Sequence, residues 1–581
     1  MLLAVTRSPI PWEGERVARR HEAPWHVLAV HDDAQASLET TPTSIRVSHS
    51  PLAALGLPDR GFGTFATFES PKRVRLRRSM SSGSSLYYSI TARGEFLCAT
   101  TVKALRRAGV MLEEDRRRLP EFFVYCFLCP PASLFKGVQL LAQDEELVLE
   151  QQGDGWREVS RSQFALPALR SPSDTDYASE CADALQHSMG ELGPLDDRAA
   201  VLLSGGVDSS VLTRLAVLQG YGGTTFGASF PFEDPARDME ARYASSAADA
   251  LHVQHQHHLP TIQRYLRAVV EAIDATEVPL HGLQTALLSS LYRDVVPPTV
   301  RVIVIGDGAD TVFGNSILKT VHEVGEPWRL ESLVSQRPIL EALWRSGTGV
   351  GCRLADRLAV RRPFLYEIED PRHQIWSEQR FGDVRWTCNH FGVQVESCSA
   401  SRREVLARYA QSPVIDRFLL LNLLGNNDAL QTMWARLAQA TGRAAYYPYT
   451  HPEVIRSATT IPWDARVPDT KYQLRQAARR LGVPDLVLTR PKAYFGISCE
   501  RWAGRDGVLE PLVRLAAPVV GEETIRQVQG GTEPRARIYW NLLNYGIWHR
   551  LFINGDSVGS LLGELDAADD SAPTGILVEQ R

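Results

Sequence analysis

The chain is poor in lysine. Of its 63 basic residues only six are lysine, at positions 72, 103, 136, 319, 471 and 492, so arginine is the default cation. A lysine in this background marks places where a compact ammonium, and not a planar guanidinium, is wanted. Cysteine is also scarce, with eight in 581 residues, which excludes a disulfide framework and points to a reducing, cytoplasmic setting. Cys126 and Cys129 make one CxxC inside an aromatic run, with no second CxxC near it, and read as buried apolar thiols. No apolar run approaches the roughly 20 residues of a membrane span, and Met1–Val5 turns polar at once, so neither a membrane protein nor a secretory signal is expected. No excess of positive charge exists either. Sixty-eight acidic residues against 63 basic give a net charge of −5, which argues against a nucleic-acid partner.

What is present divides into two textures. Residues 1–165 carry short β-like runs, such as Trp25–Val30, Ser44–Val47, Arg73–Arg78 and Ser85–Ile90, separated by polar and Gly/Ser turns. They predict an α+β layered domain. From about 175 the pattern alternates. An amphipathic helix over 177–192 is followed by the wholly apolar strand Ala199–Leu203, a helix, a strand over 224–230, and helices near 236–251 and 263–273. A second apolar strand runs over 300–305, and 400–445 and 470–482 read as helical. Alternating strands and helices predict an α/β fold with a doubly wound parallel sheet over 175–555. Residues 556–581 are acidic and rich in small side chains and read as a mobile tail. Ser346–Gly351 reads as a flexible loop.

Two loops carry the chemistry. Ser204-Gly205-Gly206-Val207-Asp208-Ser209-Ser210 follows a buried strand and opens a helix. Glycines let backbone N–H groups approach an anion, the helix N-terminus adds its dipole, and the three serines offer hydroxyls. Asp208 would repel phosphate unless Mg²⁺ intervened. The loop lacks the Gly-Lys-Ser/Thr ending of a Walker A sequence. Gly306-Asp307-Gly308-Ala309-Asp310-Thr311 follows the second apolar strand. Asp310 is the second candidate Mg²⁺ ligand, and Asp307 is a candidate base or orienting group for an amine. Lys471 opens a helix, and Lys492 follows a φ-fixing proline in Thr489-Arg490-Pro491-Lys492, placed to meet charge developing on a phosphate or an oxyanion. His252, His255, His257 and His258 crowd one segment. Strand alternation divides them between two faces, so they read as polar strand positions near the cleft and not as a zinc site.

The order of these segments resembles the asparagine-synthetase-type amidotransferases with their N-type ATP pyrophosphatase domain. Residues 204–209, 306–314, 471–475 and 490–495 carry that resemblance, and weaker likeness to a glutaminase half lies at 86–88, 96–105 and 133–138. The resemblance implies ATP and Mg²⁺ as cofactors, with Ser204 to Ser210 and Gly306 around the nucleotide and Lys492, Asp307 and Lys471 as catalytic candidates. Family glutaminases need cysteine after the initiator methionine. Leu2 stands there, and no cysteine precedes Cys98, so a degenerate Ntn-type domain without glutaminase activity is expected. Asp307 and Thr311 replace the two glutamates of the family's second loop. These departures make the chain most similar to the lasso peptide cyclases, which are macrolactam synthetases of antibiotic biosynthesis. The implied partners are a precursor peptide, a leader peptidase and a leader-binding protein. β-Lactam synthetases, ammonia-using asparagine synthetases and a nucleotide-binding scaffold without chemistry are the other readings.

Overall fold

The computed structural model describes residues 1–12, 16–22, 25–30, 36–50, 56, 63–69, 72–81, 83–171, 176–232, 239–315, 383–490, 499–530 and 533–569. Two six-stranded antiparallel sheets occupy the N-terminal part. One runs, edge to edge, Val138–Leu140, Tyr87–Ile90, Phe96–Ala99, Leu2–Thr6, Trp25–Val30, Val17–Glu22. The other runs Gly155–Ser162, Glu145–Gln152, Arg73–Arg78, Thr64–Glu69, Ser44–His49, Ala36–Thr40. Alternation along Leu2–Thr6 shows how they are covered. Leu3 and Val5 pack between the sheets with Val47, Phe68, Leu76 and Leu149, while Leu2 and Ala4 face helices with Leu105, Phe122 and Trp540. One apolar core therefore continues from the N-terminal sheets into the rest of the chain.

The third sheet is parallel and five-stranded, in the order Gln254–His258, Thr224–Ala228, Ala199–Leu202, Val302–Val304, Ala444–Tyr446. In chain order this is 3-2-1-4-5, a doubly wound sheet, as the alternating pattern predicts. Ala199–Leu202 and Val302–Val304 pair directly, with Val201 opposite Val304. The order reverses between these two strands, so the loops leaving their carboxyl ends lie side by side at the switch point. The edge strand Ala444–Tyr446 and the helix Leu283–Asp294 are additions to the sequence reading. The first is only three residues long, and the second carries too many serines and threonines to show a clean apolar stripe.

Arg73–Arg78 is a strand as expected, yet its basic side chains are not simply solvated. Arg73 and Arg75 pair with Glu69, Glu146 and Glu150, and Arg78 is fully buried. The thiols of Cys126 and Cys129 are buried and pushed up to about 12 by desolvation. Residues 346–351 lie outside the described residues. The expectation of a mobile tail is corrected in part. Val558–Asp569 is a helix whose Leu561 and Leu565 are buried in the core, while Arg550 grips Glu564 with two hydrogen bonds of 2.7 Å. Leu561→Ala is expected to lower unfolding free energy by about 2–4 kcal/mol, as for any buried leucine. Urea titration measures this, and an unchanged midpoint would mean that the segment does not belong to the core.

Candidate active site

The helix Val207–Leu218 begins without a side-chain cap, at Gly206. Its first N–H groups therefore lack side-chain partners within the helix, which is the arrangement that receives an anion. Gly205 has φ +73°, and a Cβ there would meet the carbonyl carbon of Tyr243 at 2.3 Å, so only glycine fits. The loop is braced internally: Ser204 N–H donates to Ser209 Oγ at 3.1 Å, and the two hydroxyls lie 3.2 Å apart. Arg490 clamps it from outside. Its guanidinium donates to Ser204 O at 3.0 Å and to Glu240 at 2.7 Å, and stacks over Tyr243 at 4.0 Å.

The second loop packs against the first. A Cβ on Gly306 would sit 3.4 Å from Ser209 N, and Gly308, at φ +97°, would drive one into Thr450 at 2.7 Å. Together the loops line a cleft of about 320 Å³ with Ser204, Asp208, Ser209, Gly306 and Asp307. Its opposite wall is apolar, formed by Leu287, Leu288 and Leu291 of the helix Leu283–Asp294 and by Trp434. His257 also lines it, hydrogen-bonded to Ser229 at 2.7 Å; His255 shares its face and meets Thr225, while His258, on the other face, meets Ser290. Val207 and Ser210, expected at the nucleotide, turn inward instead. Their side chains are buried on the core side of the helix, which leaves only their backbone near the loop.

Asp208 and Asp310 converge as expected, and Lys471 is the cation on which they do so. Its Nζ is 2.6 Å from Asp208 Oδ2 and 3.0 Å from Asp310 Oδ1. Burial of the ammonium opposes its charge, but the two carboxylates outweigh that and raise its pKa. Lys471 holds a left-handed backbone, φ +52°, anchored by its N–H on Gly314 O at 2.8 Å. A non-glycine residue in that conformation is strained, and here the strain aims the side chain at the loops. Among the described residues no cluster of three or more His, Cys, Asp or Glu side chains could hold a metal. Lys492 lies outside the described residues.

Asp307 is a perturbed acid of the cleft. Burial pushes its carboxyl up to about 6, against the amides of Asn427 and Gln431, which favour the ionised form; the Asp310 charge adds to the rise. Asn427 Nδ2 donates to Asp307 Oδ2 at 3.0 Å, and the Thr311 hydroxyl donates to Asn427 Oδ1. Thr311 thereby fixes which end of the amide faces the acid. The two departures in the second loop thus belong to one hydrogen-bonded chain. Asn427, Gln431 and Arg490 were not singled out from sequence. A signal existed for the first two: Asn422, Asn426, Asn427 and Asp428 interrupt an otherwise apolar helical stretch, and the helix is a π-turn over Asn422–Asn427. Such turns often accompany functional sites.

The asparagine synthase family profile matches residues 180–529. Proteins of Mycobacterium bovis and of two Mycobacterium tuberculosis strains, each described as "putative asparagine synthetase (glutamine-hydrolyzing)", are 23% identical to this chain over 526 residues, covering 85% of it and 77% of their own length. The profile takes in both strand-end loops, Lys471 and Arg490, and spans more than half of the chain: this protein belongs to the asparagine synthase family.

Proposed function

We propose that the chain is an ATP-dependent C–N ligase without glutaminase activity, one that closes a macrolactam on a leaderless peptide in the manner of a lasso peptide cyclase. The family uses ATP. The observation that carries the reading is the pairing of an intact anion-receiving loop with N-terminal sheets that hold no available thiol. Residues 1–97 contain no cysteine, and Cys98 is buried between the sheets with its thiol driven far up by desolvation. On this reading the nucleophile is an amine of the substrate and not ammonia from glutamine. The apolar wall of Leu287, Leu288, Leu291 and Trp434 suits a substrate larger and less polar than a free acidic amino acid.

A carboxylate becomes an acyl donor when its oxygen attacks the α-phosphorus of ATP, giving an acyl-adenylate and pyrophosphate. The peptide's own N-terminal amine then attacks the acyl carbon, AMP leaves, and one proton is released. Holding both ends in one cleft replaces the entropy of ring closure with binding energy. Ser204, Ser209 and the first N–H groups of Val207–Leu218 receive the pyrophosphate. Asp307, ionised above about pH 6, accepts the proton of the attacking amine. Mg²⁺ fits Asp208 and Asp310 on the chemistry of the donors: two hard carboxylate oxygens converge on one cationic point, and the trio with Lys471 carries a net negative charge. Bound there, the ion supplies charge neutralisation between these carboxylates and the polyphosphate. Lys492, after Pro491, is assigned to the charge that builds during adenylation and acyl transfer. The precursor peptide, a leader peptidase and a leader-binding protein are its proposed partners, in the cytoplasm.

Asp208→Ala and Lys492→Ala are each expected to cut peptide-dependent pyrophosphate release by on the order of 10²-fold or more. Unimpaired release in both overturns the assignment. Mass spectrometry identifies the reaction: a macrolactam is the linear peptide less one water, whereas an ammonia-using synthetase yields a primary amide. A second expectation concerns Asp307. An acid whose pKa rises on folding destabilises the folded state above that pKa and has no such effect below its unfolded value. Asp307→Asn should therefore gain on the order of 2–3 kcal/mol at pH 7.5, lose that gain as pH falls towards 4, and abolish turnover. Denaturant titrations at the two pH values decide it; equal stability of wild type and variant at pH 7.5 contradicts the buried, strained acid.

A further inference from the structure

The helix Asp428–Gln439 is loaded from two sides. On one, Asn427, immediately before it, donates to Asp307, and Gln431, one turn on, lies against the same loop, its Nε2 3.5 Å from where a Cβ on Gly308 would stand. On the next face, also four residues apart, Asp428 and Thr432 receive Arg78 from the N-terminal sheets. Every N–H of Arg78 is used: Nε donates to Ser84 O at 2.7 Å, Nη1 to Leu141 O and Asp428 Oδ2 at 2.9 Å each, and Nη2 to Asp428 Oδ1 and to Thr432 Oγ1 at 2.8 Å. Two shorter routes reach Gln431 itself. Gln143 Nε2 donates to its Oε1 at 3.4 Å. The Ser81 hydroxyl lies 2.7 Å from that of Thr450, whose own hydroxyl donates to the same Oε1 at 3.3 Å. All of these side chains are buried except those of Asp307 and Thr432, which are partly exposed.

We propose that the N-terminal antiparallel sheets are a positioning element for Asp307: Arg78, Ser81 and Gln143 fix the helix Asp428–Gln439 and the amide of Gln431, and so hold the carboxylate at one place in the cleft. This deepens the reading of Asp307 as the group that meets the amine, and rests on it. The guanidinium is locked by five hydrogen bonds to one geometry, and a helix so pinned can neither slide nor rotate about its axis. A carboxylate that must meet an amine within hydrogen-bond reach is sensitive to displacements of about an ångström. Arg78, Ser81 and Gln143 act only through other residues and touch no substrate. The N-terminal part of the chain thereby takes on a task in the reaction.

Amide hydrogen exchange of the full chain tests this without any substrate. Gln143→Ala and Ser81→Ala remove neutral groups and keep the Arg78–Asp428 pair, so both variants are expected to fold. Exchange at 306–313 and 427–433 should quicken on the order of tenfold in each, while strands Thr64–Glu69, Arg73–Arg78 and Glu145–Gln152 stay protected as in the wild type. With Mg·ATP and a linear peptide bearing a free N-terminal amine and one internal Asp, kcat should fall by about tenfold or more at an unchanged KM for ATP. Arg78→Lys, which keeps the charge and loses the fork, should do the same. Unchanged exchange at 306–313 in both neutral variants overturns the proposal, as does loosening of the three strands to an equal extent, which would mark a merely structural role. Inertness of the wild type towards the peptide would count against the ligase reading alone, because the exchange comparison stands without turnover.

Discussion

Two strands buried on both faces decide where chemistry can occur. Ala199–Leu202 and Val302–Val304 are flanked by other strands and covered by helices, so they leave no place for charge along their length. Polar groups can enter only where the chain leaves the sheet. Because the strand order reverses between these two, both exits open on one crevice, and the residues at 204–209 and 306–310 meet although a hundred positions separate them. Lys471 closes the arrangement from a third element. Its ammonium answers two carboxylates that would otherwise repel each other and any phosphate. The rarity of lysine in this chain gains its meaning here. A guanidinium is planar and broad, whereas a single nitrogen can stand between two carboxylate oxygens at hydrogen-bond distance.

Local signals made the two strand-end loops readable. Gly205, Asp208, Ser209, Gly306 and Asp307 lie in short contiguous runs directly after apolar strands, and each run carries its own backbone logic. The parallel sheet was readable for the same reason, since a strand hidden on both faces is an unbroken apolar run. What the sequence concealed is non-local. Arg78 looks like one more arginine in an alternating basic strand. Only the fold reveals that it is buried against Asp428, 350 positions away. Asn427 and Gln431 look like helix-surface polar residues. They matter because the helix turns them towards an acid in another loop. Val207 and Ser210 differ from their neighbours in the loop. Helical periodicity turns their side chains into the core, so what they present to the cleft is backbone. The segment 558–569 misled through composition: small residues lower apparent hydrophobicity, yet Leu561 and Leu565, four apart, supply the stripe that docks it.

Asp307 shows how the site departs from what stability alone would select. Desolvating a carboxylate is costly, the amide of Asn427 offsets only part of that cost, and the nearby Asp310 adds to it. Thr311, where the family has a second acid, contributes a hydroxyl that orients Asn427 instead of a further negative charge. A carboxylate at the same place with another acid beside it would be harder still to ionise. The shorter acid and the neutral threonine are therefore one change and not two: together they keep a single buried carboxylate that can be charged at neutral pH.

The N-terminal sheets cannot be treated as an appendage. Their outer face shares its core with helices that follow the parallel sheet, so separating the two would expose Leu2, Leu105, Phe122 and Trp540 together. Glu277 adds a polar tie. Its buried carboxylate accepts from the N–H of Val102 at 2.7 Å, at the start of the helix Val102–Arg107, and pairs with Arg436 at 3.1 Å. Arg436 lies on the same helix as Asp428 and Gln431. Breaking either buried pair strands an uncompensated charge, which costs about 3–5 kcal/mol, more than most single contacts can offset. Two ion pairs and one apolar core thus converge on a helix of twelve residues. The acid that this helix meets is thereby tied to the N-terminal sheets through buried contacts.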